Sequence, residues 1–232
     1  MAAKPTSTNA EPASAPSAAR ANRGSDGLDL MEWVQVNARL LGGAAAVVAV
    51  AAAGYWFYIR SQQIKTINAD RSLMQAQQSL QSGNAALATS DLQRVVTRYK
   101  GTGAGTQAAL LLAQTHYNAG KYQEGINVLQ EVSGNAGGSE AMVQGLIGDG
   151  HAQMGKNADA AKAYEKAAEA SIYENEKAYY RAKAARSYST AGNVADARRL
   201  WTQLSTDPNS QAVAAEARVR LAELDAKRAG KS

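Results

Sequence analysis

Four glycines, Gly83, Gly120, Gly155 and Gly192, are spaced by 37, 35 and 37 residues, and each closes a stretch whose apolar residues follow a helical period. A period in this range marks a chain assembled from stacked supersecondary units. Five residues after each glycine stands a small residue (Ala88, Gly125, Ala160, Ala197), and four later a large one (Leu92, Leu129, Tyr164, Trp201). Three further on come Val95, Val132, Ala167 and Leu204. Upstream, small residues recur seven positions before the glycine (Ala76, Ala113, Gly148, Ala185), and Ser79, His116, His151 and Tyr188 stand four before it. These positions describe a helical hairpin. The glycine ends helix A in a left-handed conformation, the small residues let helices A and B approach closely, and the large residue fills the space between neighbouring hairpins.

The register resembles the tetratricopeptide repeat. The resemblance implies an all-α fold, a right-handed solenoid of about four repeats over residues 66–228, closed by a capping helix. The last helix, roughly Gln211 to Ala226, fits that cap, with Val213, Ala217, Leu221 and Leu224 on one face and charges on the other. Two departures stand out. The first repeat has Ser79 where an aromatic is usual, and the proline that often closes a repeat occurs only near the end, as Pro208. The resemblance further implies a concave face lined by the A helices. Its peptide-facing positions fall on Gln77, Gln81, Gln114, Asn118, Asp149, Gln153, Tyr179, Arg186 and Thr190. This set is polar and largely uncharged, which points to hydrogen bonding with an extended protein segment. The basic clamp with which some relatives hold a terminal carboxylate is not evident.

Composition agrees with helices. Alanine is abundant, only 6% of residues are aromatic, and the 45% hydrophobic content is enough for a packed core. There is no cysteine, which excludes disulfides, thiolate metal sites and cysteine nucleophiles. The formal charge of +5 does not indicate nucleic-acid binding, because residues 61–232 intersperse 20 Lys and Arg with 16 Asp and Glu. The densest basic spots, Arg198 with Arg199 and Lys227, Arg228 and Lys231 near the end, read as solvated helix faces.

Residues 1–30 are rich in Ala, Pro, Ser and Thr, a composition that does not offset the entropy of ordering, and they are expected to be a disordered tail. Residues 31–62 are expected to form a transmembrane anchor with its flanks. Within them, residues 40–59 form an uncharged run of 20 residues between Arg39 and Arg60. As a helix this run reaches about 30 Å, the thickness of a bilayer core. Trp33 on one side and Tyr55, Trp56, Phe57 and Tyr58 on the other sit where interfacial aromatics belong. Orientation is tied on charge: Arg20, Arg23 and Arg39 flank one end, and Arg60, Lys65 and Arg71 the other.

Catalytic chemistry finds no support. His116 and His151, the two histidines, occupy the same position of successive repeats, a position that packs between helices, and no further His or Cys is present to complete a metal site. Gly101, Gly103 and Gly105 outline a glycine-rich loop. A phosphate cradle needs a preceding strand and a lysine after the glycines, whereas here a helix precedes and Lys100 comes first. These glycines, and Gly134, Gly137 and Gly138 one repeat later, read as linkers between repeats. No nucleophile–base set can be assembled, so the expectation is a non-enzyme with no cofactor, no metal and no small-molecule substrate.

One uncharged span followed by such repeats also resembles the ancillary SecYEG translocon subunit (YfgM-like) family of bacterial inner membranes. That resemblance implies a single-pass inner-membrane protein with a cytoplasmic N-terminus and a periplasmic repeat domain. Its partners would be translocon subunits and periplasmic chaperones or their clients. The alternative expectation is a structural scaffold for envelope proteins in cell-envelope or division-site assembly.

Overall fold

A computed structural model describes residues 31 and 33–229. The expected N-terminal tail lies outside the described residues, as does Lys231. The chain divides into two compact units, residues 1–58 and 59–232.

Most of the described part of the first unit lies in one helix, α1, that spans Ala38–Gln81. Its apolar window has a mean hydropathy of 1.8 and is wholly unburied, and α1 is the one described helix long and apolar enough to cross a membrane. Leu40, Val47, Val50 and the aromatics at 55–58 are all exposed among the described residues. No helix end separates the span expected over 31–62 from the repeat domain expected from 66, because α1 runs through both boundaries.

The second unit is a succession of antiparallel helices. The C-terminal part of α1 is followed by α2 (Ala85–Arg98), α3 (Gly103–Asn118), α4 (Tyr122–Val132), α5 (Glu140–Gln153), α6 (Asn157–Ala170), α7 (Glu174–Thr190), α8 (Val194–Thr206) and α9 (Gln211–Ala229). No strand occurs among the described residues. The unit is an all-helical tetratricopeptide-like solenoid in which α1, α3, α5 and α7 are the A helices, α2, α4, α6 and α8 the B helices, and α9 lies against the last pair.

The marker glycines make the A-to-B turns. All four have φ between +72° and +80°, where a Cβ is costly. In three of the turns the residue after the glycine donates its N–H back to the helix carbonyl five residues earlier: Lys121 to His116, Lys156 to His151 and Asn193 to Tyr188, at 2.8–2.9 Å. This is the Schellman closure of a helix end. The first turn differs, since there the Ser82 hydroxyl donates to the Ser79 carbonyl at 2.9 Å. Asn84 then caps α2 by accepting from the Leu87 N–H.

The glycines of the α2–α3 connection depart from the linker reading. Only Gly101 is a loop residue with positive φ, whereas Gly103 and Gly105 open α3 behind the Thr102 cap. Gly105 is small for a packing reason: a Cβ there would sit 2.4 Å from the Tyr99 carbonyl oxygen.

Two hydrophobic clusters fill the solenoid. The first is aliphatic and joins Leu73 and Ala76 of α1 to Leu92, Val95 and Val96 of α2 and to Leu112, Ile126, Leu129 and Val143. The second is built from alanines, with Tyr164, Tyr180, Tyr188 and Trp201 as its large members, and reaches Ala217 of α9. The repeated small positions Ala76, Ala113 and Ala185 are fully buried, as are Ala88, Ala160 and Ala197. Leu92, Leu129 and Trp201 are likewise fully buried, and Tyr164 nearly so.

Candidate protein-binding groove

The A helices carry the residues expected to face a bound peptide. Gln81, Gln114, Asn118, Gln153, Tyr179, Arg186 and Thr190 are exposed, and Gln77 and Asp149 are half-buried. Gln114, Asn118, Asp149 and Gln153 meet, with Tyr117, Tyr122 and Tyr164, around an open depression of about 480 Å³ between repeats two and three. Arg186 and Thr190 line a second depression of about 390 Å³, with Val194, Trp201, Arg220 and Leu224. Gln77, Gln81 and Tyr179 belong to neither.

Glycine builds the first depression. Tyr117 lies over Gly125 and Gly150, where an added Cβ would come within 2.4 Å of its ring and hydroxyl, and its hydroxyl donates to the Leu146 carbonyl at 3.0 Å. Tyr164 lies over Gly148 with a corresponding distance of 2.5 Å. The phenol rings therefore seat against backbone, and the floor between α3, α5 and α6 is aromatic.

The charges on this face are mostly neutralised within the protein. Asp149 accepts from the Tyr164 hydroxyl at 2.6 Å and from Lys183, whose ammonium stands 4.6 Å from the Tyr164 ring centroid and 5.4 Å from that of Tyr179. Arg186 grips Glu216 of α9 with two parallel hydrogen bonds, the Nε bond at 2.8 Å. Burial, followed by the hydrogen bond to Asp149, pushes the Tyr164 hydroxyl far above the usual phenol range, so it stays a donor. Tyr180 is pushed up to about 12, chiefly by burial. The exposed groove residues outside these ion pairs include amides and a hydroxyl: Gln114, whose side-chain amide donates to Asn118 at 3.1 Å, Gln153, and Thr190, whose hydroxyl donates to the Arg186 carbonyl at 3.0 Å.

His151 does not join Asp149. It lines a depression on the other side with Gln144, Asp159, Lys162 and Lys166. Burial holds both histidines below the usual imidazole value of 6.5, against a smaller opposing pull from Glu124 on His116 and from Asp159 on His151. His151 Nδ1 is buried without a hydrogen-bond partner, as suits a neutral ring packed between helices.

Sequence reading missed the tyrosine floor and Lys183. The signal for the floor was available, because Gly125, Gly148 and Gly150 are glycines at helix-interior positions where alanine would favour the helix. Glycine there marks close approach by something large. Lys183 carried no such signal, since only the fold brings it to Asp149, 34 residues away.

Comparisons with known proteins agree with this architecture. A model of the tetratricopeptide repeat-like domain matches residues 31–142 and 72–183. Among solved structures, the nearly identical TPR-like repeats of a Podosopora anserina protein described as a kinesin light chain superpose with a TM-score of 0.51 and 17% identity. The match covers 69% of this chain and 88% of that one, and a single-substitution variant of the same protein gives the same values. At that identity the likeness is one of fold. A comparison with curated proteins gives no match. The chain belongs to the tetratricopeptide repeat-like family, whose helical arrays are non-enzymatic scaffolds for protein–protein interaction.

Proposed function

We propose that this protein is a membrane-anchored adaptor that holds an extended segment of another protein in the groove of its A helices. The observation that carries the reading is the uncovered apolar window of α1 in a chain whose other half is a repeat scaffold. An exposed run of this length has no stable place in water, whereas a bilayer core accommodates its apolar surface while the helix satisfies its own backbone. Residues 40–59 are the span, with Arg39 and Arg60 at its two ends. The tail before residue 31 and the repeat domain over 66–228 then lie on opposite sides of the membrane.

The groove chemistry supports a polypeptide ligand held through its backbone. Gln114, Asn118 and Gln153 offer amide donors and acceptors without net charge, over a tyrosine floor. The resemblance to the ancillary SecYEG translocon subunits of bacterial inner membranes supports translocon subunits and periplasmic chaperones as partners, with the repeats in the periplasm.

Two measurements test this. After alkaline extraction of membranes the full chain is expected in the pellet, and a variant with Val47, Val48 and Val50 changed to Asp in the supernatant. Recovery of the unaltered chain in the supernatant overturns the anchor. A reporter fused after Ser232 is expected to be active only if it functions outside the cytoplasm. Activity of a cytoplasm-only reporter at that site overturns the periplasmic placement.

A further inference from the structure

One face of α1 within the repeat unit is uncovered among the described residues. Ala69, Leu73 and Ala76 point into the core, with Leu80 packed against it. On the other side of the same helix Ile64, Ile67 and Met74 are 49%, 51% and 69% exposed. With Arg60, Arg71 and Gln78 they stand at alternating intervals of four and three residues, the spacing of a coiled-coil seam. At roughly 100° per residue these six side chains share an arc of about 80°, opposite the core-facing set. The other end of the solenoid is closed by α9, whose Ala217 is buried and whose Val213, Leu221 and Leu224 pack inward.

The uncovered face is complementary to itself. With Ile64, Arg71 and Gln78 at the a positions and Ile67 and Met74 at d, the flanking positions are Ser61, Gln63, Asn68, Asp70, Gln75 and Gln77. Asp70 is the one charge among them, and it precedes Arg71. In a parallel pair the flanking g residue of one helix lies beside the following a residue of the other. Asp70 of each copy thus meets Arg71 of its partner, twice by two-fold symmetry, and offsets the juxtaposition of the two arginines. α2 reaches the flank of this face at Gln75, which lines a depression with Arg94 and Arg98, and leaves Ile64, Ile67 and Met74 exposed.

We propose that a second copy of this chain covers the face, forming a parallel two-stranded seam along residues 60–78 of α1. Three apolar layers make a weak seam in dilute solution. Confinement of both copies to one bilayer supplies the effective concentration and the parallel direction, a step that rests on the membrane anchoring proposed above.

The chain has no cysteine, so single cysteines report the geometry directly. Full-length chain in phospholipid vesicles, carrying Ile64→Cys, Ile67→Cys, Arg71→Cys or Met74→Cys, is compared under mild oxidation with Gln62→Cys and Thr66→Cys. The last two positions are equally exposed on α1 but lie off the seam. Seam positions are expected to form disulfide-linked dimers at least about tenfold faster than the other two, since proximity and not exposure sets the rate. Equal rates at all six positions, or no dimer at any, overturn the proposal. Asp70→Arg is expected to remove the linked dimer of Ile67→Cys, and adding Arg71→Asp to restore it. An unchanged yield with Asp70→Arg also overturns it. Circular dichroism of each variant confirms that the exposed substitutions leave the fold intact. The same set run in buffer separates the two readings. Failure to enter vesicles with the seam pattern kept in concentrated solution defeats the anchor alone, and insertion without the pattern defeats the dimer alone.

Discussion

Gly148 lies under the Tyr164 ring so closely that an added methyl would stand 2.5 Å from it, and Gly125 and Gly150 hold the same relation to Tyr117. These contacts set helix spacing in the middle of the solenoid and aim the phenol hydroxyls at Asp149 and at the Leu146 carbonyl. Gly148→Ala is therefore expected to destabilise the fold by roughly 1–3 kcal/mol, despite alanine's better helix propensity, because overpacking outweighs propensity here. Thermal or urea unfolding reads the sign. Histidine gives a second test at this scale. With imidazoles held below 6.5 by burial, the folded chain binds fewer protons than the unfolded one, so their contribution is present above 6.5 and is lost as pH falls through the lowered native values. The melting temperature is expected to drop on acidification across this window, and by less in a His116→Gln, His151→Gln double variant. The marker glycines were legible in the sequence because φ near +75° excludes almost every other residue. The tyrosine–glycine pairs were legible only by half, because helix-interior glycines mark a close approach but spacing along one chain does not tell which ring makes it.

At the scale of elements, the B helices bury an apolar stripe against their neighbours. α8 illustrates this: Leu200, Trp201 and Leu204 are buried, with α7 on one side and α9 on the other. Trp201 is fully buried, yet its indole Nε1 has no hydrogen-bond partner among the described residues. Trp201→Ala is expected to cost about 3–5 kcal/mol, whereas Trp201→Phe keeps most of the volume and removes an unsatisfied donor. In a solenoid the damage stays near its source. Hydrogen exchange is expected to accelerate in α7, α8 and α9 of Trp201→Ala and to change little in α2 and α3. Helix boundaries set by a cap were readable, as at Pro208, which opens the short turn before α9. The unbroken passage of α1 was not, because a change from apolar to polar side chains along a helix does not by itself demand a break. Gly103 and Gly105 read as loop and proved to be the first turn of α3, where the Thr102 hydroxyl accepts the Gly105 N–H at 3.1 Å.

The whole molecule joins a repeat scaffold to an apolar helical window that no described residue covers. Its fold was legible because a repeat states its pattern four times over, so a departure such as Ser79 does not hide it. That residue instead donates to Asp91 at 3.0 Å inside the first hairpin, a local polar substitute for an aromatic contact. The nine expected groove positions all lie on the A helices, and the fold gives them a character that their residue types alone do not show. Asp149 and Arg186 carry charge in the sequence, but in the fold Lys183 and Glu216 answer them, leaving an amide-lined surface. The most direct test of the adaptor reading places a photo-crosslinking side chain at Gln114 in the groove and, separately, at Gln123, exposed on α4, with the full chain in its native membranes. Mass spectrometry of the adducts is expected to show discrete protein partners at position 114 that are absent at 123. The same adducts at both positions, or none at 114, would contradict it.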